Sequence, residues 1–154
     1  MELNTTIYRD GEGIPVVLVH AFPIDHHLWD DCAAELIVRA NAAGLPRFPI
    51  WAPDMPGAGE GPIPTTEQTG AIAQDGAYTE ALDRMADAYV DLIRKAGFTK
   101  AIWVGLSMGG YLVLDIQRLH PKAVAGLALC DTKADADSAA SRANRLRIAD
   151  ICET

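Results

Sequence analysis

Four short runs of apolar residues, rich in β-branched side chains, constrain this chain more than any other feature. They are Ile14–Val19, Phe48–Ala52, Ala101–Val104 and Val124–Leu129. Continuous apolar runs of this length are the pattern of strands buried on both faces. Between and after them the apolar residues fall at helical spacing instead. Leu28, Trp29, Cys32, Ala33, Leu36 and Ile37 form one stripe, with Asp25 as its cap and Gly44 past its end. Tyr78, Leu82, Met85, Tyr89, Leu92, Ile93 and Ala96 form a longer one that stops at Gly97. A third helix is expected from Met108 to just before Pro121, whose ring cannot continue the ladder. Strands alternating with helices require right-handed crossovers, giving an α/β fold: a mostly parallel sheet with helices on both faces. Thr5–Arg9 reads as a further strand at one edge, and Gly57–Gly76 as a long surface loop. Thr132–Asp137 is a polar break before a last helix running through Ile148.

The 154 residues make about one domain. A net charge of −8 disfavours nucleic acid and anionic membrane as partners. No apolar run approaches the roughly 20 residues of a membrane span, and Met1–Gly13 lacks the features of a signal peptide. The Asn4-Thr5-Thr6 sequon is therefore not expected to carry glycan. Cys32, Cys130 and Cys152 are widely spaced without a C-x-x-C, as expected of reduced thiols in a cytoplasmic protein. Four scattered histidines offer no metal-ligand spacing, and no cofactor is expected. Gly57-Ala58-Gly59-Glu60-Gly61 is G-x-G-x-G and leads into a loop, so it does not read as a dinucleotide fingerprint.

Gly105-Leu106-Ser107-Met108-Gly109 carries the chemistry. A G-x-S-x-G match arises by chance in about 2% of chains with this composition, before context is required. Here it lies between an expected strand and an expected helix. A sharp turn at that junction forces Ser107 into strained dihedrals, and glycine two residues to either side leaves room for it. The hydroxyl is then exposed at the carboxyl end of the sheet, over the amino end of a helix whose dipole favours an oxyanion. The plain alternative is a serine capping an ordinary helix.

With this element in place the chain resembles the first half of an α/β-hydrolase of the esterase, lactonase and haloperoxidase-like kind. Val17–Pro23 resembles the family's strand followed by H-G-x-P, with Ala21 standing where glycine is usual. Ala52–Gly59 resembles its D-x-x-G-x-G turn, Val104–Gly110 its nucleophile elbow, and Leu129–Thr132 the strand end leading into its cap. The resemblance implies Ser107 as nucleophile and the backbone N–H groups of Phe22 and Met108 as the oxyanion hole. It places His20 with Phe22 and Met108 at the substrate site, packed beneath the oxyanion loop and not acting as base. Asp54 reads as a turn residue at a strand end, and His26 and His27 as solvated surface or pocket rim. Residues 1–131 correspond to the amino-terminal part of the core, and 132–154 to the start of a cap. The implied substrate is a small ester, lactone or related acyl compound.

The family's triad runs Ser, acid, His along the chain. After Ser107 the sole histidine is His120, and the sole acid between them is Asp115. On the helix that Ser107 launches these lie about 12 Å and 20 Å along the axis. A general base must come within about 3 Å of its proton, or one water away, so neither can serve. Asp131, Asp135, Asp137, Asp150 and Glu153 have no histidine after them. The expectation is therefore a fragment of a longer fold, with Asp and His supplied by a C-terminal fragment or second chain. The competing expectation is a binding or regulatory protein that keeps the fold without the triad.

Overall fold

The structure, a computed structural model, describes residues 1–152; the side chain of Cys152 and all of Glu153, one of the acids that follow Ser107, lie outside the described residues. Five strands form one sheet: β1 (Thr5–Arg9), β2 (Val16–Val19), β3 (Ile50–Pro53), β4 (Ala101–Leu106) and β5 (Val124–Cys130). Their order is β1-β3-β2-β4-β5. β1 pairs antiparallel with β3, and the other pairings are parallel. Five helices accompany them: α1 (Asp30–Ala42), α2 (Thr66–Thr69), α3 (Ala81–Lys95), α4 (Met108–Leu119) and α5 (Ala139–Cys152).

Alternation along β2 sends consecutive side chains to opposite faces, and both faces are buried. Val17 and Val19 join Trp51, Tyr89, Ile93, Trp103, Leu112 and Ile116 under α3 and α4. Val16 and Leu18 join Ile50, Ala52, Trp29 and Ala33 under α1. Two buried aromatics also find partners for their polar ends: Trp103 Nε1 donates to Ala123 O at 2.9 Å, and Tyr89 Oη to Pro53 O at 3.1 Å.

Besides β5, the observed elements depart from expectation at four points, each with a local cause. β2 and β3 start later than their apolar runs, after Pro15 and Pro49, which have no N–H for a ladder. Asp25 caps a 3-10 turn at His26–Trp29, accepting from His27 N–H at 3.0 Å, and α1 begins only afterwards. Tyr78 leaves the helical stripe to bridge Ile72, so α3 opens at Ala81. The long loop contains α2, closed by a reciprocal cap in which Thr65 Oγ1 accepts from Gln68 N–H and Gln68 Oε1 from Thr65 N–H.

β5 departs furthest. Its apolar run predicts burial on both faces, yet exposure alternates along it, with Leu127 39% and Leu129 47% accessible. Ile102 on neighbouring β4 is exposed on the sheet as well. β5 is also an edge strand. Register sets Leu127 beside Trp103, on the face packed by α3 and α4, and Ile102 beside Gly126 on the face packed by α1, so among the described residues both faces of the sheet are partly uncovered at this edge.

Candidate active site

At the carboxyl end of β4 the chain turns abruptly into α4, and Ser107 is the turning residue. Its φ of 51° and ψ of −111° lie in a region that L-residues other than glycine rarely adopt. Three bonds hold it there. Ser107 N–H donates to Cys130 O at 3.0 Å, while Ser107 O accepts from Gly110 N–H at 3.0 Å and from Thr132 Oγ1 at 2.8 Å. The flanking glycines are steric requirements. A Cβ on Gly105 would stand 2.6 Å from the Gly109 carbonyl carbon, and one on Gly109 would stand 2.7 Å from His20 O. α4 thus rests directly on the ends of β4 and β2, and the side chain of Ser107 remains half-exposed.

β2 delivers the next residues to the same edge. His20 is buried; its Nε2 accepts from Met55 N–H at 2.8 Å, which puts the ring proton on Nδ1, bonded to Ala21 O at 3.0 Å. His20, Phe22, Pro23, Met55, Ala58 and Met108 line one mostly apolar pocket of about 160 Å³. The structure therefore brings His20, Phe22 and Met108 together around one cavity, and Ser107 is bonded through the chain to its Met108 wall. Phe22 is largely exposed at the mouth.

Asp54 follows the end of β3 as its sequence reading has it, whereas His26 departs from its reading as solvated surface or pocket rim. Asp54 is fully buried, and His26 is buried with it, whereas His27 stays at the surface bonded to Asp30. The cause is a pairing across 28 residues. Asp54 Oδ1 accepts from His26 N–H and from His26 Nδ1, both at 2.9 Å, and Asp54 Oδ2 from Glu60 N–H at 3.1 Å. Burial pushes the Asp54 carboxyl up, but the two backbone donors and the His26 ring outweigh it and hold the group below the ordinary carboxylate range. A D-H-H string offers no periodic signal for this pairing; the nearest sequence hint is an aspartate directly after a strand and before a glycine-rich turn.

His120 and Asp115, the pair following Ser107, are engaged elsewhere. His120 Nε2 meets Asp87 Oδ1 of α3 at 2.7 Å. Asp115 Oδ1 accepts from Arg118 Nε at 2.7 Å, and Arg118 Nη2 donates to Asp83 at 2.7 Å. With His20 on Met55, His26 on Asp54 and His27 on Asp30, each of the chain's four histidines has a partner other than Ser107.

Burial raises the Asp115 carboxyl, outweighing Arg118, and Asp83 adds repulsion; its Oδ2 is buried without a partner. A carboxyl raised in the folded state loses stability as pH climbs through its unfolded value, near 4. The stability difference between Asp115→Asn and the wild type should therefore shift in favour of Asn from about pH 4 to pH 7. Urea midpoints at the two pH values check this; a difference that stays constant contradicts it.

A serine at positive φ between a parallel strand and a helix, beside a pocket at the carboxyl edge of the sheet, defines a sharp strand-to-helix elbow of the α/β kind. The chain belongs to the alpha/beta hydrolase fold family, whose model matches residues 14–149. A pimeloyl-acyl-carrier-protein methyl ester esterase of Methylococcus capsulatus is 30% identical over 127 residues, 82% of this chain and 40% of that protein. A thermophilic esterase of Thermogutta terrifontis, solved with malate bound, is 32% identical with a TM-score of 0.73, covering 96% of this chain and 47% of that one. The enol-lactonase of Burkholderia xenovorans LB400 shares the fold at 22% identity and a TM-score of 0.69, over 93% of this chain and 48% of that one. The chain spans less than half the length of these relatives. No helix among the described residues is long and apolar enough to cross a membrane.

Proposed function

We propose that these residues form the nucleophile-bearing part of a cytoplasmic serine hydrolase acting on small esters, lactones or related acyl compounds. The observation that carries this reading is Ser107 at φ 51° between β4 and α4. Esterases at 30% and 32% identity support ester chemistry. Ser107 Oγ attacks the acyl carbon; the N–H groups of Phe22 and Met108 receive the oxyanion; the alkoxide departs with a proton, leaving an acyl-enzyme that water cleaves. The acid and base come from polypeptide beyond these residues, in the same chain or a second one. The partnered state of all four histidines and the exposed leucines of edge strand β5 both favour this. On the same reading residues 1–131 are core and α5 opens a cap. Cys32 and Cys130, both free thiols, fit a reducing compartment.

The same histidine partners also favour the rival reading, a binding protein with the fold and no turnover. A fluorophosphonate probe followed by peptide mass mapping separates the two. With the acid and base restored by a C-terminal polypeptide, the adduct is expected on Ser107 and lost in Ser107→Ala. Persistent labelling in Ser107→Ala removes Ser107 from the mechanism, and absence of any adduct on the complemented protein favours the binding reading.

A further inference from the structure

The pocket beside Met108 has two loop walls, and neither belongs to a regular element. One is Phe22–Ile24, between β2 and the His26–Trp29 turn; the other is Met55–Ala58, after β3. Just past the first wall lies His26, and just before the second lies Asp54. Their side chains meet in the interior at 2.9 Å, and the same carboxylate also takes the backbone N–H groups of His26 and Glu60. One buried anion therefore ties together the exit of one wall and both ends of the other. A Cβ on Gly59 would stand 2.6 Å from Asp54 Oδ2, so the turn is drawn tightly onto the carboxylate. Tyr8 Oη, donating to His26 O at 3.0 Å, anchors the assembly to β1.

We propose that His26 and Asp54 are positioning residues that fix the spacing of the two pocket walls, and with it the room for the group bound beside Met108. That functional consequence rests on the reading of Ser107 as nucleophile; the positioning itself does not. A hydrogen bond to a buried charge is among the stronger kinds, and burial of Asp54 leaves no water to replace the ring donor. Losing the ring should free both walls together while the rest of the sheet stays closed.

The test is amide hydrogen exchange on the chain as it exists, comparing wild type, His26→Ala and His26→Asn. The Asn side-chain amide presents a donor near the place of Nδ1. In His26→Ala, exchange should accelerate about tenfold or more at residues 22–26 and 55–60, with β4 and α4 unchanged. His26→Asn should restore most of the protection. Acceleration spread evenly into β4 and α4 would reduce the pair to ordinary structural support and overturn the proposal. So would unchanged exchange at the two walls, or failure of Asn to rescue where Ala had freed them. None of these readouts depends on ester turnover, so they test the positioning role even if Ser107 proves inactive.

Discussion

Gly109→Ala should lower the stability of this chain by on the order of 3 kcal/mol or more. The position looks permissive from its helical setting, since alanine is the better helix former. The cost comes from the partner surface. The new methyl would sit 2.7 Å from His20 O and 2.8 Å from the Val19 carbonyl carbon, both backbone atoms of the central strand's end. Neither can rotate away, so α4 must lift off the sheet. Leu112, Val113 and Ile116, fully buried on the same helix, then lose contacts as well. Domains of this size are stable by roughly 5–15 kcal/mol, so the loss is a large share. Urea unfolding checks it, and a variant within about 0.5 kcal/mol of wild type would refute the close approach.

Ser107→Ala should have the opposite profile: little change in stability and near-complete loss of turnover. Relief of an L-side chain from φ 51° does not follow, because alanine inherits the same backbone. On the proposed mechanism the hydroxyl forms the covalent intermediate, and nothing else at the elbow would substitute for it. The expected fall in ester hydrolysis is a factor on the order of 10³ or more, the scale seen when a triad member is removed. Steady-state kinetics with a short-chain nitrophenyl ester reads it. A fall of only a few-fold would mean that the proposed nucleophile is a bystander.

The features legible in the sequence are those with local causes. Apolar runs locate β2, β3, β4 and β5, and the break at Pro121 locates the end of α4. The elbow is readable because its glycines and serine are adjacent in the chain and meet one strand end. The pairing of His26 with Asp54 is not, because its two halves lie 28 residues apart, and alone His26 resembles solvated surface and Asp54 a turn residue. β5 departs from its sequence pattern for a related reason. An apolar run states that a strand prefers cover, but whether cover exists depends on how far helices reach toward the sheet edge, and Leu127 and Leu129 remain accessible. The cap of α2 is present in the sequence as Thr65-x-x-Gln68 and simply lacks the apolar stripe that draws attention to a helix.

If Ser107 belongs to an ester-cleaving site whose acid and base lie outside these 154 residues, the chain should be inactive until they are supplied. Ester hydrolysis decides this on the isolated chain, verified as a single species by intact mass, with and without a C-terminal polypeptide carrying the downstream Asp and His. Turnover should be negligible for the chain alone, should appear on complementation, and should vanish in Ser107→Ala. Robust turnover by the chain alone would refute the divided site and assign the base to a histidine already within these residues.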